Sequence, residues 1–141
     1  MTYTGNINNN KEKYLYFRTE ATDTSAITAA HAAIFPASSL MGIAHTGRTT
    51  VTLYFKSMVR GVPSSNEADA TANFDNNDSV VLVVTTETQF TTIKAIIEAI
   101  NNPNLPSVIV VANDDSGGTE YLSGSTITTC GAITVSVAYA N

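Results

Sequence analysis

Two histidines, one cysteine and two acidic clusters are the residues in this 141-residue chain whose types and spacing could do chemistry. His45 stands at the end of a strand-like run, beside Thr46 and near Arg48. Strand ends do carry catalytic groups. A nucleophilic triad would join His45 to Ser38, Ser39 or Cys130 and to an orienting carboxylate. A small enzyme centred on His45 is therefore one alternative. His31 recurs at helical spacing with Ile27, Ala30 and Ile34, and reads as a half-buried helix residue. Cys130 is the single cysteine, so no internal disulfide is expected. It precedes Gly131 at the edge of a β-like run and reads as a buried, inert thiol.

Asp114-Asp115-Ser116-Gly117-Gly118 is acidic and glycine-rich. It lacks the spacing of a 12-residue calcium loop, and adjacent carboxylates diverge unless a turn converges them. A small ligand- or metal-binding module using the 113–125 loop is the second alternative; a plain hairpin loop accounts for it better. Asp75-Asn76-Asn77-Asp78 precedes an apolar run, where Asx turns are common. The glycine patterns of nucleotide sites, H-E-x-x-H, C-x-x-C and G-x-S-x-G do not occur in the sequence. The expectation is a protein that is not an enzyme, with no cofactor and no metal.

The elements that would position these residues fall into two similar halves. Tyr14–Thr19 reads as an aromatic-rich strand with Tyr14 and Tyr16 on one face, Leu15 and Phe17 on the other. A helix is expected at about 25–34, capped by Thr24 or Ser25 and stopped by Pro36. A short strand at 40–44 and a turn at Thr46-Gly47 follow. In the next strand, about 49–56, Val51, Leu53 and Phe55 alternate with Thr50, Thr52 and Tyr54. Residues 60–78 read as a loop or connector. Ser79–Thr85 is almost wholly apolar and reads as a strand buried on both faces. A second helix at 89–100 presents Ile93, Ile96, Ile97 and Ile100, and Asn101-Asn102-Pro103 ends it. Strands at 107–112 and about 127–139, the latter interrupted near Cys130-Gly131, complete the chain.

Tyr14–Thr19 overlays Val80–Thr85, the two helix stripes overlay, and Met41–Ala44 overlays Val108–Val111. This spacing predicts an α+β fold, a tandem β-α-β-β repeat (about 12–58 and 79–140) whose mixed sheet carries two helices on one face. A polar arm at 1–10, with too little apolar surface to order itself, precedes the single domain.

Charged residues are only 13% of the chain, about half the usual share, while Thr occurs 21 times and Asn 13 times. A surface so short of charge suits packing in a fixed assembly. The formal net charge is −5, and the few basic residues are scattered, so nucleic-acid binding is not expected. The N-terminal MTYTGNINNNKEK has no apolar core of a signal peptide, and no apolar run is long enough to span a membrane. Tyrosine carries apolar area with a polar handle, so Tyr14, Tyr16 and Tyr54 are candidate interface residues. Asn8, Asn9 and Asn10 of the arm and Phe74 of the loop join them.

The stretch YLYFRTEATDTS…FPASSLMGIAHTGRTTVTLYF, followed by DSVVLVVT and a helix, resembles small virion proteins of marine tailed bacteriophages. The likeness covers most of residues 12–112 and has no diagnostic motif. It implies a virion accessory or capsid decoration subunit. The partners would then be other virion proteins, including the major capsid protein, and further copies of the chain.

Overall fold

The computed structural model describes residues 12–19, 31–57 and 77–135. These form β1 (Tyr14–Arg18), β2 (Ala32–Pro36), a 3-10 turn (Ala37–Ser39), β3 (Leu40–Gly47) and β4 (Thr50–Phe55). They continue with β5 (Asp78–Val84), the helix α1 (Gln89–Asn101), β6 (Val108–Asn113), β7 (Glu120–Tyr121) and β8 (Ile127–Thr134). The strands make two four-stranded sheets, ordered β2-β1-β6-β7 and β3-β4-β5-β8. The second sheet is antiparallel throughout; in the first, β1 and β6 run parallel.

Alternation decides which face of each sheet is buried. Leu15 and Phe17 of β1, Phe35 of β2, and Ile109 and Val111 of β6 turn inward from the first sheet. Val51, Leu53 and Phe55 of β4 and Val80, Leu82 and Val84 of β5 turn inward from the second, joining one core. Three phenylalanines tie the layers together. Phe35 stacks on Phe55 at 4.3 Å between ring centroids, and Phe17 meets both at 6.1 Å. Such contacts add to plain area burial.

The expected α+β architecture is overturned. The described chain is mostly strand with a single helix, and no tandem repeat is seen. Residues 32–34, assigned by periodicity to the end of a first helix, belong to β2, with Ile34 paired to Tyr16 and Phe35 to Leu15. Alanines 32 and 33 permit either state locally. What selects the strand is the burial of Phe35 against Phe17 and Phe55, which no local pattern reports. The earlier part of that helix, and Ile27 and Ala30, lie outside the described residues. His31 is not on a helix face; it sits in the turn leading into β2, where its carbonyl accepts the Thr19 N–H at 2.8 Å. The overlaid strands are also not equivalent. β1 pairs in parallel with β6, whereas the strands overlaid on them, β5 and β3, do not pair with each other: β5 lies between β4 and β8, antiparallel to both.

Smaller corrections follow from register. The β3–β4 turn is Arg48-Thr49, with Gly47 still paired to Thr50. Asp78 is not loop; it opens β5, fully buried opposite Phe55. β5 is buried fully on one face only, Ser79, Val81 and Val83 being half-buried.

The second helix forms where expected. Thr88 precedes it, but its hydroxyl donates to the Thr85 carbonyl at 2.6 Å rather than accepting a helix N–H. The helix is held by other bonds: the Gln89 amide donates to the Gly47 carbonyl, and the Thr92 hydroxyl accepts the Thr126 N–H at 3.0 Å. At its C-terminal end the Lys13 ammonium donates to the carbonyls of Asn102 and Leu105 at 2.7 and 2.8 Å. A cation there complements the helix dipole. Ile96 is fully buried and Ile93 and Ile100 pack against the core, but Ile97 is exposed.

The expected interruption of the last strand is a bulge. Cys130 pairs with Leu82 and Ile133 with Val80, so three steps of β8 oppose two of β5. A Cβ on Gly131 would come within 2.8 Å of the Val81 carbonyl oxygen and 3.3 Å of its side chain. Gly131→Ala is expected to lower stability by about 1–3 kcal/mol, because backbone rather than a flexible tip must yield. Urea unfolding of the variant beside wild type measures this.

Candidate functional site

The residues proposed for an interface divide between two surfaces. Because Leu15 and Phe17 are drawn into the core, Tyr14, Tyr16 and Arg18 face outward from the first sheet. Register then decides their neighbours. Tyr14 lies between Pro36 of β2 and Val108 of β6, and Tyr16 between Ile34 and Val110. Tyr14, Ile34 and Val108 are 39%, 41% and 47% exposed. The outer face of β2-β1-β6 is thus two adjoining rows of apolar and tyrosine side chains. At one end Arg18 reaches Asp115 at 3.8 Å.

Tyr54 is not part of this face. It projects from the second sheet, opposite the buried set of β4, with Gly42 and Ser79 as cross-strand neighbours. On that same side the Thr46 hydroxyl bonds those of Thr50 and Thr52 at 3.1 and 2.8 Å. Asn8, Asn9, Asn10 and Phe74 lie outside the described residues.

Ile34 and Val108 complete the tyrosine face, and sequence reasoning did not single them out. Periodicity alone puts Ile34 on a helix face. Val108 carried one signal: in SVIVVA it alternates with Ile109, so it must face outward if Ile109 faces inward.

The residues of the enzymatic alternative do not converge. His45 pairs with Val51, Val51 with Leu82, and Leu82 with Cys130. His45 and Cys130 are therefore three strand spacings apart, about 14 Å, far beyond hydrogen-bond reach. The Ser38 hydroxyl donates to Glu12 at 2.5 Å and that of Ser39 to the Pro36 carbonyl at 2.7 Å.

Cys130 instead belongs to a cluster that joins the two sheets. Its N–H donates to Asp114 Oδ2 at 2.9 Å, its carbonyl accepts the Thr19 hydroxyl at 2.9 Å, and the Tyr121 hydroxyl donates to Asp114 Oδ1. Asp114 is positioned by its own N–H, which donates to the Arg18 carbonyl at 3.0 Å. Burial, followed by the Asp114 charge, pushes the Cys130 thiol up to about 12. It is a protonated thiol at neutral pH, and the thiol form is a poor nucleophile. Burial, the hydrogen bond to Asp114 and that carboxylate's charge raise Tyr121 to about 12 as well.

The adjacent carboxylates of Asp114 and Asp115 in the 113–125 loop point apart. Asp114 turns inward to this cluster. Asp115 Oδ1 accepts the Gly117 N–H at 3.0 Å while Oδ2 faces Arg18. Among the described residues, no group of three or more His, Cys, Asp or Glu side chains is placed to hold a metal ion. No described helix is long and apolar enough to cross a membrane.

The best-supported candidate site is accordingly a surface rather than a pocket: the Tyr14, Tyr16, Ile34 and Val108 face of the first sheet. Comparison of the chain with protein families, with curated proteins and with solved structures finds no match.

Proposed function

We propose that the chain is a non-enzymatic structural subunit of a larger assembly. We propose further that the assembly is a phage particle, in which the chain is an accessory or capsid decoration protein beside the major capsid protein and other virion proteins. The assembly reading is carried by one observation, the contiguous exposed apolar face formed by Tyr14, Ile34 and Val108 with Tyr16, Pro36 and Val110. Single exposed apolar residues are ordinary, but adjoining ones on a rigid sheet mark a contact surface. Tyrosine is enriched at such contacts. The virion assignment adds the sequence resemblance and the scarcity of charge.

Co-sedimentation of the purified protein with isolated phage capsids and tails tests this reading. Wild type is expected to bind one of them. Tyr14→Lys with Val108→Lys is expected to weaken that binding at least about tenfold while changing stability by no more than about 0.5 kcal/mol each, since both side chains already face solvent. A wild-type protein that binds neither component and stays monomeric in light scattering would sink the proposal.

A further inference from the structure

Among the described strands, β8 ends the second sheet beyond β5. It is eight residues long, ITTCGAIT, and contains no charge and no proline. Charge, proline, shortness and bulges are the usual devices that keep such a strand from pairing further. β8 has only the last of them. Register shifts fall on both sides of the step at which Thr129 pairs with Val83 and Cys130 with Leu82. They disturb the strand elsewhere and leave Thr129-Cys130 as its regular stretch.

At that stretch the backbone is met by side chains of the other sheet. The Cys130 N–H donates to Asp114 Oδ2, and the Cys130 carbonyl accepts the Thr19 hydroxyl, both at 2.9 Å. In an antiparallel ladder one neighbouring residue exchanges these same two bonds, its carbonyl taking the N–H and its N–H meeting the carbonyl. Asp114 Oδ2 therefore stands in place of that carbonyl, and the Thr19 hydroxyl in place of that N–H. A carboxylate alone cannot do this, because it only accepts; the mimic needs one acceptor and one donor. The parallel pairing of β1 with β6 supplies both, since Thr19 follows Arg18, Asp114 follows Asn113, and Arg18 lies opposite Asn113. Each of the two is itself fixed. Asp114 donates its N–H to the Arg18 carbonyl at 3.0 Å and accepts the Tyr121 hydroxyl on Oδ1. Thr19 donates its N–H to the His31 carbonyl at 2.8 Å.

We propose that Asp114 and Thr19 form an edge guard, two side chains that take the place of a strand and close β8 against pairing with another chain. The bulges roughen β8 where its ladder is irregular, and the guard covers the stretch that they leave regular. A strand arriving at β8 has to displace both side chains. Displacement leaves the half-buried Asp114 carboxylate without the Cys130 N–H, and such a loss opposes the exchange.

Amide exchange followed by NMR and sedimentation velocity test this on the full chain, with the folding of each variant checked by circular dichroism. In Asp114→Ala the Cys130 amide is expected to exchange at least about tenfold faster than in wild type. Asp114→Asn keeps an acceptor for the Cys130 N–H, and its NH2 can donate to the Tyr121 oxygen, so exchange is expected to stay within about threefold of wild type. In about 0.5 M salt, which screens the net charge of −5, Asp114→Ala with Thr19→Val is expected to self-associate at least about tenfold more strongly than wild type. Adding Thr129→Lys, at an exposed position of β8, is expected to return association to within about twofold of wild type. Thr19→Val alone removes the donor while keeping the shape, and is expected to raise association at least about threefold; it carries the test if Asp114→Ala does not fold. A folded Asp114→Ala protein whose Cys130 amide exchanges at the wild-type rate overturns the inference. So do folded variants that associate no more than wild type, or an association that survives Thr129→Lys.

Discussion

Phe55→Ala is expected to cost about 4 kcal/mol, a large share of the stability of a domain this size. The ring is fully buried and stands where the two sheets meet. It stacks on Phe35 at an interplanar angle of 8° and meets the edge of Phe17. Truncation removes the transfer energy of the ring and leaves a cavity whose walls belong to different sheets. Those walls cannot collapse onto it without moving a whole layer, which places the loss toward the upper end of the usual range. Phe35→Leu retains apolar volume at the same contact and is expected to cost less than half as much. Urea denaturation of the two variants, with the slope checked for two-state behaviour, measures both. A loss of under about 1 kcal/mol for Phe55→Ala would mean that the sheets are held together by something other than this aromatic contact.

The second large effect is alkaline. The Cys130 thiol has its folded value raised from 9.0 to about 12, chiefly by burial and then by Asp114. In the unfolded chain the thiol loses its proton near its ordinary value, while the folded chain retains it. Above that ordinary value the folded state binds more protons than the unfolded one, so stability falls as pH rises. The contribution is fully present below pH 9 and is lost toward pH 12 at about 1.4 kcal/mol per unit. Tyr121, raised from 10.0 to about 12, adds a decline in the same direction from pH 10 upward. Between pH 9 and 10 the thiol therefore acts almost alone. Cys130→Ala is expected to be less stable than wild type at pH 7, having lost buried volume, but to show a flat profile over that interval. Unfolding free energies at half-unit steps from pH 7 to 11 distinguish the cases. An equally steep decline in both proteins would assign it to other groups.

What could be read in the sequence was what a strand or helix decides for itself. The alternation of Val51, Leu53 and Phe55 and the stripe of α1 were visible because the residues that fix each element lie within it. The division of Tyr14 and Tyr16 from Leu15 and Phe17 was legible for the same reason. β2 was not. Its alanines are indifferent, and Phe35 chooses a strand only because Phe17 and Phe55 are there to meet it. The false repeat has the same origin. β1 and β5 are both apolar strands before a connection, but one joins β6 in a parallel pair and the other joins β8 in the opposite sheet. Ile97 fitted the helix stripe by spacing, yet the core is narrower than the stripe and leaves it outside. The candidate surface was half legible. Two tyrosines could be placed on one face of β1, but Ile34 and Val108 reach that face only through cross-strand register, and Tyr54 was separated from it by the division into two sheets.

The parallel pairing of β1 with β6 also sets an order of events in time. Tyr14 aligns with Val108, and Lys13 bonds a carbonyl 89 positions further along the chain. β1 must therefore wait for a strand synthesised about ninety residues after it. Until residues 108–113 exist, Leu15 and Phe17 have no parallel neighbour, and the antiparallel sheet β3-β4-β5 is the part able to gather first. Contacts so distant in sequence slow the final step, because a long loop must close before any of its reward is collected. Refolding is accordingly expected to end with the docking of the N-terminal strand, so the surface that bears Tyr14 matures last, after the rest of the molecule has taken shape.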